Sequence, residues 1–130
     1  MSNIKLERND IKVLSKALEW HATGASVCLI TVIKTWGSSP RPVGAMMSIT
    51  GDGMSIGSVS GGCIEEELLS KIVNNFPDSP SFYNYSSEEH KSLPCGGYVV
   101  LLVEPINNSR KWPEFLTKLK AFKNIFRFVN

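Results

Sequence analysis

Apolar residues recur at helical period over residues 10–23, where Ile11, Leu14 and Leu18 make an i, i+3, i+7 stripe. Asn9 or Asp10 can cap the start, and Gly24 suits the position that stops such a helix. The period changes over residues 26–35, SVCLITVIKT. Val27, Leu29 and Ile33 fall on one face of a strand, and Cys28, Ile30 and Val32 on the other. With both faces apolar, this strand is expected in the middle of a sheet with a layer on each side. Residues 98–104, YVVLLVE, repeat the pattern.

Between these strands the pattern is mixed. Residues 45–50 and 54–60 read as two short, half-polar strands around Gly51-Asp52-Gly53, a strong hairpin signal. The second runs through Ser60-Gly61-Gly62-Cys63 into a helix over 64–76, whose stripe is Ile64, Leu68, Leu69, Ile72, Val73 and Phe76. Glu65, Glu66 and Glu67 occupy its first turn, where the helix dipole favours acids, and Pro77 ends it. Phe82–Ser86 reads as a further strand and 87–97 as polar loop. After the linker-like Asn107-Asn108-Ser109, Trp112-Pro113 opens a last amphipathic helix with Phe115, Leu116, Leu119 and Phe122 inward. The expected architecture is a single α/β domain, a mixed β-sheet of about five strands with helices packed on it. Its body is residues 1–106; residues 107–130 form a linker and a basic helix.

Composition narrows the function classes. The 130 residues, 42% hydrophobic and 20% charged, suit one globular domain and exclude a disordered chain. A net charge of +2 is too weak for a dedicated nucleic-acid binder. It is also unevenly placed: from Arg110 onward there are six of the 14 basic residues and only one acid, Glu114. No apolar run approaches the roughly 20 residues of a membrane span, and the charged start MSNIKLERND is not a signal peptide. Cys28, Cys63 and Cys95 are too few and too scattered for a disulfide framework or a structural zinc site. A reducing compartment, the cytoplasm, is expected.

Candidate chemistry gathers in three glycine-bearing loops. In the first, Gly37 to Gly44, Pro40 and Pro42 stiffen the backbone around Arg41 beside Ser38 and Ser39. That suits an anion held by a guanidinium fork, and equally a surface loop whose prolines set a turn. In the second, Gly61-Gly62-Cys63 opens the 64–76 helix. Amides at a helix mouth can hold a phosphate or oxyanion, although the segment is neither GxGxxG nor a P-loop and a plain tight turn explains it too. The three glutamates would repel phosphate unless turned away; Glu65 could instead accept hydrogen bonds from a heterocycle. Cys63, at a helix N-terminus, is the thiol best placed to ionise. In the third loop Cys95 precedes Gly96-Gly97 and a buried strand. Cys28 reads as a core side chain, and His21 and His90 as solvent-facing.

Taken together, TVIKTWGSSPRPVGAMMSI, GSVSGGCIEEEL and PCGGYVVLLVEPI resemble the XdhC/CoxI family, in order and with compatible spacing, over about residues 10–106. Its members are accessory factors for xanthine dehydrogenase, carbon monoxide dehydrogenase and related molybdenum hydroxylases. The resemblance implies a protein that binds the molybdenum cofactor as cargo, protects it while its terminal sulfur is installed, and inserts it into the apo-enzyme. It implies cofactor-binding positions at Ser38, Ser39, Arg41, Gly61, Gly62, Cys63, Glu65, Cys95, Gly96 and Gly97, with Cys63 and Cys95 as molybdenum-proximal thiols. Implied partners are the apo molybdenum hydroxylase and a cysteine desulfurase or cofactor-synthesis protein; a homodimer is expected, with no nucleic acid and no membrane. Two features depart from the family. Pro94 stands where a small residue is usual, and full-length members carry a second, Rossmann-like domain beyond the point where Asn130 ends this sequence. The alternatives are a cysteine-dependent sulfur-relay enzyme using Cys63, and an interaction module that has lost cofactor binding.

Overall fold

A computed structural model describes residues 8–37, 41–60, 64–86 and 97–106. Helix α1 spans Arg8–Ala22. It stops where Gly24 takes a φ of 94°. There Ala25 N–H donates to the Trp20 carbonyl at 3.2 Å and Gly24 N–H to that of His21 at 3.0 Å, the paired bonds of a left-handed helix stop. Five strands follow: β1 (Val27–Trp36), β2 (Met46–Thr50), β3 (Ser55–Gly57), β4 (Ser81–Ser86) and β5 (Tyr98–Pro105), with helix α2 (Glu65–Asn74) between β3 and β4. They form one sheet in the order β3-β2-β1-β5-β4.

The single α/β domain with a five-strand sheet is as expected, but every neighbouring pair is antiparallel, not mixed. The reason lies in α2. It carries the chain from β3 at one edge to β4 at the other, so it joins no adjacent strands and creates no parallel pair.

The alternation in β1 sorts the core into two layers. Cys28, Ile30 and Val32 face Met47, Ile49, Leu101 and Val103 and the α2 residues Leu68 and Ile72. Val27 and Leu29 face Val13, Leu14 and Ala17 of α1. Each fully buried Leu, Ile or Val contributes about 1.5–3 kcal/mol. Two expectations about faces need correction. Ile33 does not share the buried face of Val27 and Leu29; the register slips between Val32 and Lys34, and Ile33 is 38% exposed at that bulge. The first strand of the 45–60 hairpin is buried on both faces, whereas β3 is exposed or half-buried. All of β2 is buried because α1 covers its other face, and its polar side chains are satisfied: Ser48 Oγ donates to the Cys28 carbonyl at 3.2 Å and Thr50 Oγ1 accepts Met54 N–H at 3.0 Å. Its partner is short, three residues instead of seven.

Gly57 is where α1 and the hairpin meet most closely. Its φ is +91°, and a Cβ there would lie 2.5 Å from the Met46 carbonyl and 2.6 Å from Val13 Cγ2. Gly24 shares the positive φ but faces open space. Gly24→Ala should therefore cost about 1 kcal/mol and Gly57→Ala about 3 kcal/mol or more, read as the difference in urea unfolding midpoints. Equal losses would show that the close approach is not limiting.

Candidate functional site

Antiparallel pairing brings the described anchors of the three glycine-bearing loops to one end of the sheet. Trp36 of β1 pairs with Tyr98 of β5, and Ser86 of β4 pairs with the same Tyr98. Gly37 therefore leaves, and Gly97 enters, at the same end. The first loop returns there: Gly44 N–H donates to the Val32 carbonyl at 2.8 Å and Val32 N–H to that of Ala45 at 2.9 Å. Gly37 and Gly44 both have positive φ, 71° and 98°. Met47 pairs with Gly57, so the segment from Ser58 departs from this end as well.

Glu65, the first residue of α2, fixes that segment. Its Oε2 accepts the Ser58 hydroxyl at 2.7 Å, Val59 N–H at 2.9 Å and Ser60 N–H at 2.9 Å. Its Oε1 accepts the Ser60 hydroxyl. Ser60 Oγ in turn accepts Ile64 N–H at 3.0 Å, which ties the turn to the residue just before α2. Burial pushes the Glu65 carboxyl up, but the hydroxyls of Ser60 and Ser58 and the amides of Ser60 and Val59 outweigh it and hold the pKa at about 2. Glu65, expected to read a heterocycle, accepts four hydrogen bonds from its own chain. Its oxygens are engaged by its own chain, so it positions the turn. The amides of Val59 and Ser60 point at this carboxylate, so the described part of the helix mouth carries its own anion.

Arg41 is also tied inward. Its Nε donates to the Ser58 carbonyl at 3.3 Å, and its Nη2 lies 3.5 Å from Asp10 Oδ1. Asp10 does not cap α1. It sits inside the first turn, its side chain 2% exposed, and Oδ1 accepts Met46 N–H at 3.0 Å. Asp10, Arg41, Ser58 and Glu65 thus form one polar chain from α1 to α2 around the end of the sheet. Beside it opens a cavity of about 300 Å³ lined by Asp10, Lys12, Val13, Arg41, Met46, Ile56, Gly57 and Ser58.

Among the expected site residues, Arg41 and Glu65 share this chain through Ser58, and Gly97 is buried at the start of β5. Ser38, Ser39, Gly61, Gly62, Cys63, Cys95 and Gly96 lie outside the described residues, as do His90 and the 107–130 segment. Cys28 is in the core, its thiol pushed to about 12 by burial and then by Glu104, so it is neutral at physiological pH. Among the described residues no group of three or more His, Cys, Asp and Glu could hold a metal ion, and no helix is long and apolar enough to cross a membrane. Sequence reading missed Asp10, Lys12, Ser58 and Ser60. No fixed-spacing motif announces the serines, because Glu65 lies five residues beyond Ser60 and the N-cap position is Ile64.

The pKa of Glu65 is lower in the fold than its ordinary 4.5, so the fold binds fewer protons there than the unfolded chain. Its contribution is complete above about 4.5 and is lost as pH falls towards about 2. Glu65→Gln should cost on the order of 2 kcal/mol at pH 7, because two amide and two hydroxyl donors then face a group that accepts less well. The gap between wild type and variant should narrow between pH 4.5 and 2 in denaturant titrations. A gap that stays constant there would refute the role assigned to the carboxylate.

Comparison with known proteins places the chain. Residues 20–78 match the model of the XdhC and CoxI family, a stretch that includes Arg41, Cys63 and Glu65. The molybdenum cofactor insertion chaperone PaoD of Escherichia coli (strain K12) is 30% identical over 118 residues, which cover 87% of this chain and 37% of that protein. A crystal structure of a xanthine dehydrogenase from Bacillus halodurans superposes with a TM-score of 0.65 at 28% identity, covering 88% of this chain and 34% of that one. The chain thus spans little more than a third of the length of either relative. With three loop anchors at one sheet end, the elements that carry them fall within or beside the stretch, residues 20–78, that is similar to the XdhC and CoxI family.

Proposed function

We propose that this chain is an accessory protein that binds the molybdenum cofactor as cargo during maturation of a xanthine dehydrogenase-type molybdenum hydroxylase, covering sulfuration and insertion, and that it is not a turnover enzyme. The observation that carries the reading is the similarity to a molybdenum cofactor insertion chaperone across 87% of the chain. The geometry supports it. A carrier needs a rigid frame from which binding loops project, and the Asp10–Arg41–Ser58–Glu65 chain braces the roots of two such loops against both helices.

In this reading Ser38, Ser39, Arg41, Gly61, Gly62, Cys63, Cys95, Gly96 and Gly97 border the cargo, and Glu65 shapes the turn that presents Cys63. Thiolates are soft donors suited to the metal–sulfur end, and a helix N-terminus favours the thiolate form of Cys63. The partners are the apo molybdenum hydroxylase, a cysteine desulfurase or cofactor-synthesis protein, and a second copy of the chain, in the cytoplasm.

The test is co-expression with an intact molybdenum cofactor pathway, followed by molybdenum and pterin-fluorescence assays of the purified protein. Wild type should retain both, and Cys63→Ser should retain about tenfold less molybdenum. Wild type lacking both, where a full-length relative keeps them, would overturn the reading.

A further inference from the structure

We propose that the cavity between α1 and the β2–β3 hairpin is a phosphate-monoester subsite, with Lys12 and Arg41 as its cationic contacts. The inference deepens the cofactor reading and rests on it only in supplying the phosphate end of the cargo with a place; the site itself can be tested alone.

Three observations carry it. The first is the negative charge already present at the described part of the helix mouth. A strand–glycine–helix turn usually offers its amides to phosphate, but here Val59 and Ser60 N–H donate to Glu65, with Glu66 and Glu67 in the same helical turn. A second anion beside that carboxylate would meet like charge.

The second is the lining. Lys12 is exposed at the cavity and makes no hydrogen bond or ion pair among the described residues, whereas Lys16, one turn on, lies 3.3 Å from Glu19. Arg41 is held from behind. Asp10 and the Ser58 carbonyl take Nη2 and Nε, which orients the guanidinium plane and leaves it 21% exposed. The two cations outnumber the one buried carboxylate. Val13, Met46 and Ile56 supply an apolar wall, and Gly57 keeps the hairpin side free of a side chain.

The third is size. A cavity of about 300 Å³ is at the lower limit for ligand sites, enough for one phosphate and the carbons attached to it but not for a whole nucleotide-sized molecule. Phosphate also fits better than carboxylate. A carboxylate competes with Asp10 for the same fork with a single charge. A phosphate monoester brings nearly two charges and three oxygens, so it can bridge Lys12 and Arg41 with the Asp10 pair intact.

The experiment is amide NMR of the full chain titrated, at constant ionic strength, with inorganic phosphate, phenyl phosphate and acetate. Both phosphates should shift Val13, Ile56 and Gly57, phenyl phosphate binding more tightly because of the apolar wall, with acetate far weaker. Lys12→Gln, a change at an exposed position, should weaken both phosphates by roughly tenfold or more, the loss of one charge-assisted hydrogen bond. Shifts at residues 64–67 instead, an unchanged affinity in Lys12→Gln, or acetate binding as well as phosphate would each overturn the proposal. Cargo retention separates it from the wider reading. If Lys12→Gln loses phosphate binding yet keeps molybdenum and pterin at the wild-type level, the subsite fails as the cargo's anchor while the chaperone reading stands. If wild type binds phosphate here but retains neither molybdenum nor pterin, the subsite stands and the chaperone reading fails.

Discussion

The arrangement of the site end depends on one carboxylate satisfied by its own backbone. Glu65 gathers two hydroxyls and two amides from Ser58, Val59 and Ser60. A negative charge at the first position of a helix is favoured by the dipole, and four donors around it make it stable when half-buried. The consequence is geometric. A glycine-bearing strand-to-helix turn, which would otherwise be pliable, has its root pinned before Gly61 and its exit pinned at Ile64. Ser58 passes the constraint on, because its carbonyl accepts Arg41 while its hydroxyl donates to Glu65. Asp10 completes the span by holding Arg41 and the Met46 amide together.

The two faces of the sheet divide the work. On the α2 face the core is largely apolar, with Ile30, Ile49, Leu68, Ile72 and Leu101 packed together and Tyr85 buried among them. The α1 face carries the buried polar groups: Asp10, Ser48 and Thr50. Buried polar groups cost stability unless partnered; Asp10 and Ser48 are partnered across elements distant in sequence, and Thr50 within its own hairpin. The α1 layer is thus specified by hydrogen bonds as well as by volume, and the cavity opens on that layer.

That division explains what was legible beforehand. The helices, the central strands and the hairpin were readable because each follows a local period of apolar residues, and Cys28 read as core because it lies within one. Strand direction was not readable. Nothing local to α2 says whether it returns the chain to a neighbouring strand or to the far edge, and it does the second. Burial of β2 was hidden for a similar reason: Ser48 and Thr50 look solvent-facing until α1 is laid across them. Arg41 and Glu65 were picked out for their chemistry, but their partners were not. Asp10 lies 31 positions from Arg41, and no periodicity links residues so far apart.

Two residues singled out as ligand contacts turn out to spend hydrogen bonds internally, and the consequences differ. A carboxylate accepts through two oxygens, and both oxygens of Glu65 accept bonds from its own chain, which fixes the turn. A guanidinium has five N–H groups in a rigid fork, so the bonds to Asp10 and Ser58 also set its orientation. A fixed plane lowers the entropy lost when an anion docks. The same kind of internal bonding that fixes the turn through Glu65 also fixes the plane of Arg41. The electrostatics agree, since the described helix mouth already holds a negative charge and the α1 side presents Lys12 beside a fork oriented by Asp10. Under the proposed subsite, an anionic group arriving at this end of the sheet would meet Lys12 and Arg41 on the α1 side.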